Sequence, residues 1–361
     1  MTNSVYIHIP FCNNICSYCD FSKVYYNNDL VNKYLDSLFL EVKNNYQGEI
    51  INTLYIGGGS PSSLSIDNLN KLKDIIKTFK ISSDIEFTIE VNPDDITKDK
   101  LLFYKEMGVN RISIGVESTI NKYLKYLNRR HDFKLVQDKI KLIKDMGFSN
   151  ISVDLIYGMK DETLRDLEKD LNNLLSLDIN HISTYSLEIH DNTLLGINND
   201  KKISDDLDRK MYDYIVNYLE KNGFEHYEIS NFAKNKTYSK HNLVYWNNLN
   251  YYGFGIGASG YIDNIRYQNT KSFNNYFLEK RIINKEILSE EDTISYALIL
   301  GFRKIKGINK DDFYNRYHVD ILSLYNIKDL IKEGLLIDDG EYLKINKEYL
   351  YVENSILENF V

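Results

Sequence analysis

A chain of 361 residues, 43% hydrophobic and 27% charged, has the makeup of an ordinary globular protein and the length to bury a substantial interior. No apolar run approaches the roughly 18 residues that suggest a membrane span, and a formal net charge of -8 argues against a broad basic surface for nucleic acid. Residues 1–4 lead straight into an apolar segment without a basic stretch or a small-residue cleavage site, so no secretory signal is evident and the cytoplasm is the expected compartment.

The first predicted strand, SVYIHIP, leads into PFCNNICSYCDF, which holds all three cysteines: Cys12, Cys16 and Cys19. Loops closed by cysteines three or four residues apart are too short to staple a fold of this size, and the count is odd, so disulfides are not expected. Thiolates are soft ligands, and this spacing lets one loop wrap a metal centre. A structural zinc would need four protein ligands, with His8 as the obvious fourth. Three thiolates on a four-iron cube would instead leave one iron without a protein ligand, the open position that catalytic and ligand-binding metal sites keep.

Downstream, short apolar runs alternate with longer amphipathic ones: LVNKYLDSLFLEVKNN, NTLYI, SIDNLNKLKDIIKTF, EFTIEV, TKDKLLFYKEMG, RISIGV, DFKLVQDKIKLIKDMG, NISVDLIYG, TLRDLEKDLNNLLSL and HISTYSLEI. This is the rhythm of βα units around a parallel sheet. Six strands by about Leu187 are too few for a closed eight-stranded barrel, which predicts an α/β fold with an open, partial (β/α)6 TIM-like barrel over residues 1–190. Ser65 and Thr97 stand where helix N-caps belong, and Gly108 and Gly147 where helices stop. Functional groups of barrel enzymes collect at strand ends. Here those ends carry Gly57, Gly58 and Gly59, then Glu90, Glu117 and Asp154, with Arg129 in LNRR. Glycines permit close approach of a ligand to backbone. Solvated loop charges are the plain alternative for the others, but Asp154 interrupts an apolar strand, and an ionised carboxylate there needs a partner or ligand if it points inward.

From about Asn192 the rhythm breaks. Residues 191–289 contain a helix around LDRKMYDYIVNYLEKNG, the segment HNLVYW and the glycine-rich YYGFGIGASGY. Gly253, Gly255 and Ala258 fit a dinucleotide fingerprint on paper, but without a clear preceding strand or a following βαβ unit that reading fails. Residues 290–361 alternate helices and strand-like pieces in a winged-helix pattern, with 14 acidic against 9 basic residues, so docking on protein is expected in preference to a duplex.

CxxxCxxC after the first strand of a βα series resembles the radical S-adenosylmethionine superfamily, and YIGGGSP resembles its glycine-rich segment. The resemblance implies that Cys12, Cys16 and Cys19 hold a [4Fe-4S] cluster and that S-adenosylmethionine chelates the remaining iron. It further implies that Tyr6, Tyr18, Gly58, Gly59, Ser60, Glu90, Glu117, Arg129, Asp154 and Ser186 surround that cofactor, with the YYGFGIGASGY element closing over the adenine. YIHIPFC, SYCDF, GVNRISIGVES and DLIYGM look like the oxygen-independent coproporphyrinogen III oxidase family. Within it, Phe21 at the place of a further cysteine, the short stretch before the first strand, and His241, Asn242, Tyr245 and Trp246 of HNLVYW resemble the heme-chaperone branch of the HemW type. That branch implies heme as a ligand, with His241 as an axial contact. It also implies heme-accepting proteins and an electron donor as partners, no nucleic acid, and at most transient membrane contact. The alternative is the oxidase itself, decarboxylating two propionates of coproporphyrinogen III. Glu117, where relatives usually have Gln, and YGMKDET in place of YGLPGQT depart from the family pattern.

Overall fold

The computed structural model describes residues 2–361. Six parallel strands form its centre, each followed by a helix until the last. They are β1 (Ser4–Ile9), α1 (Asn28–Asn45), β2 (Ile50–Gly58), α2 (Ile66–Ile76), β3 (Lys80–Val91), α3 (Lys98–Met107), β4 (Arg111–Glu117), α4 (Phe133–Asp145), β5 (Asn150–Tyr157), α5 (Leu164–Leu175) and β6 (His181–Ser186). The strands lie side by side in chain order, as the periodicity predicts.

Strand alternation sets the two faces. Val5, Ile7 and Ile9, then Leu54 and Ile56, Phe87 and Ile89, Ile112 and Ile114, and Ile151 and Val153 are buried in the apolar core shared with the helices. Their in-between neighbours are polar: Tyr6 and His8, Tyr55, Thr88 and Glu90, Arg111 and Ser113, Ser152 and Asp154, Ser183. The pairings keep register over most of their length, with shifts at Ile51/Thr53 and Gly115/Glu117, so these line up across the sheet, as Asp154 does opposite Gly115 and Ser183. The result is a curved sheet with an apolar back and a polar inner face.

Helix ends follow local chemistry. Ser65 and Thr163 form capping boxes with Asn68 and Asp166, and the Thr97 side chain accepts from the Lys100 N–H. Gly108 and Gly147 take positive φ of 92° and 84°, the left-handed stop that side chains with a Cβ resist.

The segment after residue 190 is woven into the same sheet. After a single helical turn at Leu194–Ile197 come helix α6 (Asp205–Lys221), β7 (Glu225–Glu228), β8 (Asn231–Ala233), α7 (Lys240–Trp246) and β9 (Tyr252–Phe254). β8 pairs antiparallel with β6 and with β7, while β9 pairs parallel with β1, giving the order β9-β1-β2-β3-β4-β5-β6-β8-β7. The element before YYGFGIGASGY is the helix α7, and the short strand β9 lies within the glycine-rich element itself. A separate antiparallel sheet, β10 (Ser259–Ile262), β11 (Ile265–Asn269) and β12 (Ile282–Ile287), follows it.

The last unit comprises α8 (Glu290–Gly301), β13 (Ile308–Asn309), α9 (Lys310–Tyr317), α10 (Ile327–Lys332), β14 (Leu336–Asp338) and β15 (Tyr342–Ile345). Its small sheet has the order β13-β15-β14, the winged-helix arrangement. Phe302 and Phe360 of this unit belong to the same continuous apolar cluster as Val5 of β1.

Candidate functional site

The cysteine loop leaves the C-terminal end of β1 and is tied shut at its base. Val24 N–H donates to Pro10 O (2.8 Å) and Tyr26 N–H to Cys12 O (2.9 Å). Phe11 anchors the base in the core, edge-on to Tyr34 at 5.4 Å. On the far side the loop is pinned to the segment before Arg129: Ser17 N–H donates to Leu127 O (3.1 Å), Ser17 Oγ to Tyr126 O (2.8 Å) and Asn128 Nδ2 to Ile15 O (2.7 Å).

All three thiols are free, and all three line a cavity of about 780 Å³ over the polar face of the sheet. Burial pushes the Cys12 thiol up to about 12, with Arg129 and Lys23 pulling the other way. Metal ligation deprotonates a thiol, so those two cations favour the ligating form. Arg129 Nη1 lies 3.3 Å from Cys16 Sγ, and its Nη2 lies 3.9 Å from Glu117 Oε1 and donates to Gly115 O. The zinc reading loses its fourth ligand. His8 is buried with Nε2 2.8 Å from Ser22 O and Nδ1 3.1 Å from Tyr6 Oη, so neither nitrogen is free.

Opposite the thiols runs the glycine segment. Gly58 has φ +115°, and a Cβ there would sit 2.6 Å from the His8 ring; one on Gly59 would come within 3.0 Å of the Ile9–Phe11 backbone. Gly59 N–H donates to Ile9 O at 2.9 Å, which fixes the segment against the root of the cysteine loop. Ser60 Oγ accepts from Asn92 Nδ2 (2.8 Å).

Ionisable groups crowd the inner face. Glu90 accepts from Tyr55 Oη (2.7 Å) and from Gly58 N–H (3.0 Å), and burial raises its pKa. Asp154 is pushed up to about 8, first by burial and then by the nearby charge of Glu117. Glu117 ends β4 with φ +64°, a conformation uncommon for a side chain of its size, which turns the strand end towards Arg129. Burial works against the Arg129 charge, yet Cys16 and Glu117 outweigh it and hold the guanidinium more firmly protonated than usual.

The structure thus brings together on one cavity lining Cys12, Cys16, Cys19, Tyr18, Gly58, Gly59, Ser60, Glu90, Glu117, Arg129, Asp154 and Ser186. Ser186 Oγ donates to Asp208 of α6. Two expected residues fall elsewhere. Tyr6 is not on the lining; its ring stacks on Tyr55 at 6.0 Å and its hydroxyl is spent on His8, so it braces the wall from behind. His241 is 1% exposed, with Nδ1 2.8 Å from Thr53 Oγ1, Nε2 2.8 Å from Tyr245 Oη and its ring stacked on Tyr55 at 5.2 Å. Both nitrogens are occupied and burial lowers its pKa to about 3, so in this conformation His241 is a satisfied core histidine without a lone pair for iron.

The element YYGFGIGASGY does not line the cavity either. Its glycines answer to packing behind β1: a Cβ on Gly253 would lie 1.8 Å from Ser259 O, and one on Gly255 2.3 Å from Tyr34 Oη. Sequence reasoning missed Arg111, which lines the cavity at 2% exposure with Nε unpartnered. A charge opening the apolar run RISIGV is the same signal that drew notice to Asp154. Asp208 and Asn242, also on the lining, come from segments that only the tertiary fold brings there.

Residues 6–174 match the family model of the radical SAM superfamily, and residues 288–348 match that of the HemN C-terminal domain. The chain is 38% identical to the heme chaperone HemW of Lactococcus lactis over 99% of its own length and 97% of that protein's. It is 37% identical to the heme chaperone HemW of Bacillus subtilis, over 99% of each. The solved structure of coproporphyrinogen III oxidase from Escherichia coli, described as a radical SAM enzyme, superposes with a TM-score of 0.87 at 20% identity, covering 99% of this chain and 89% of that one. At that identity the likeness speaks for the fold. Full-length similarity to the chaperones, together with three free thiols at the end of the first strand, places this chain in the radical S-adenosylmethionine superfamily and, within it, in the HemW branch.

Proposed function

We propose that the chain binds heme and passes it to acceptor proteins, and that it carries a [4Fe-4S] cluster on Cys12, Cys16 and Cys19 with S-adenosylmethionine at the open iron. The observation that supports the cofactor reading best is the convergence of three free thiols and a polar, charged lining on one cavity. When bound, the cluster would supply an electron-transfer centre and a coordination site for an amino acid's amine and carboxylate. The chain's own residues supply the rest. Arg129 offers positive charge beside Cys16, Gly58 and Gly59 expose backbone to the cavity, and Asp154, pushed up to about 8, holds a proton near neutral pH. Heme comes to this reading from the full-length relatives named heme chaperones. An electron donor and heme-accepting proteins are the partners it requires.

The oxidase reading has the likeness of fold in its favour. Against it stands Phe21, 63% exposed on the lining where that branch carries a cysteine. Anaerobic protein, reconstituted with iron and sulfide and supplied with S-adenosylmethionine and reductant, separates the two. We expect about four irons per chain, stoichiometric heme binding and no protoporphyrinogen from coproporphyrinogen III. Product formation without heme binding would reverse the assignment.

A further inference from the structure

A second cavity of about 1070 Å³ opens between the segment 220–249 and the winged-helix unit, and it shares no lining residue with the first. One wall is aromatic and apolar: Trp246 at the end of α7, Phe313 and Tyr317 of α9, and two apolar side chains left in water, Leu249 (43% exposed) and Ile337 (38% exposed). The same lining carries Lys304, Lys306 and Arg316, the last with its guanidinium 5.1 Å from the Tyr317 ring.

These three cations are held without carboxylates. Lys304 Nζ donates to Asn247 Oδ1 (2.5 Å), Arg316 donates to the carbonyls of Asn247 (2.7 Å) and Asn248 (2.5 Å), and Lys306 Nζ sits 4.0 Å over the Tyr342 ring. Of the acidic groups on the same lining, Glu220 and Glu225 are already bonded to Lys347 and Tyr238, and Asp312 lends its charge to Lys304 without a hydrogen bond to it. Lys304 feels its burial, which pushes its pKa down to about 8 despite Asp312. A lysine and an arginine set on an aromatic wall at this cost make a place for an anion.

His226 provides the lining's imidazole. It is 4% exposed, burial lowers its pKa to about 4, and its Nδ1 has no hydrogen-bond partner, so a neutral nitrogen lone pair is left over. An aromatic and apolar lining, cations bonded to no carboxylate and a spare imidazole describe a planar, metal-bearing macrocycle with carboxylate arms.

We propose that this groove, and not the pocket around His241, seats the heme: its ring against Trp246, its propionates at Lys304, Lys306 and Arg316, and its iron served by His226. This rests on the heme-binding reading above. Arg303 stands between the two cavities, its guanidinium 5.8 Å from the Trp246 ring and bonded to Glu353 (2.7 Å) on the cluster side, so heme in the groove would touch the wall of the cofactor cavity.

Titration of the full-length, cluster-loaded protein with hemin tests the placement. Leu249→Glu, which sets a charge on the apolar wall, and Lys306→Glu, which opposes a carboxylate arm, both at exposed positions, weaken binding roughly tenfold or more, while iron content and S-adenosylmethionine binding stay at wild-type values. His226→Gln moves the Soret maximum, and His241→Ala leaves it in place. Wild-type affinity in both groove variants, or a Soret band that only His241→Ala moves, overturns the proposal. Failure of the unaltered protein to bind hemin refutes the function itself and is recognised before any variant is made.

Discussion

Glu228 of β7 is fully buried, and burial raises its pKa from 4.5 to about 7 although Asn231, the Ser230 backbone and Trp246 favour its charge. Below pH 4.5 folded and unfolded chains both carry the proton. Between 4.5 and 7 the unfolded chain releases it while the folded chain keeps it, so stability falls as pH rises, and the full loss of up to about 3 kcal/mol is reached above pH 7. Glu228→Gln cannot ionise. Its stability relative to wild type, from urea midpoints, should therefore improve by about 2–3 kcal/mol between pH 5 and pH 8; a difference that does not change with pH would contradict the burial argument. Arg129 acts through charge in the cofactor cavity. Arg129→Gln removes the cation 3.3 Å from Cys16 Sγ, so the cluster should become harder to reduce, its midpoint potential shifting negative in an EPR-monitored titration.

Elements hold the site in place through backbone fit. β9 pairs with β1 while β10 packs closely on it, which Gly253 permits because a Cβ there would meet Ser259 O, and the Gly253 N–H is taken by Tyr267 Oη at 3.0 Å. Gly253→Ala should cost about 1–3 kcal/mol by overpacking and loosen the cysteine loop's support, seen as lower iron retention after gel filtration. Thr163→Ala at the capping box of α5 is the control: about 1 kcal/mol of stability is lost, with iron content unchanged. These helices and strands were legible beforehand because their signals are local. Buried residues recur at the helical interval in α1, as Val31, Tyr34, Leu35, Leu38 and Val42 do, and caps lie within three residues of what they cap. β9 was not legible, since three residues among glycines carry no period and their partner strand starts the chain.

At the scale of the whole molecule, one apolar cluster runs from Val5 to Phe360, and strands from beyond residue 190 complete both edges of the central sheet. The barrel, the extension and the winged-helix unit should therefore melt together. Calorimetry of the apoprotein is expected to show one transition, and two well-separated peaks would show that the shared core does not couple the parts.

The amino-acid order by itself determined what depends on near neighbours: three thiols on one short loop, glycines at a strand end, six strands with the helices between them, and charges at the ends of apolar strands. Tertiary structure alone decided what depends on distant partners. Thr53 and Tyr245 occupy both nitrogens of His241 and turn a candidate ligand into a core residue, Tyr6 is held behind the wall it was expected to face, and a second groove arises where α7 meets the winged-helix unit. A hydrogen-bond partner or a cavity wall supplied from a remote segment leaves no trace in the local pattern, because residue type fixes what a side chain can do and only packing fixes what is left for it to meet.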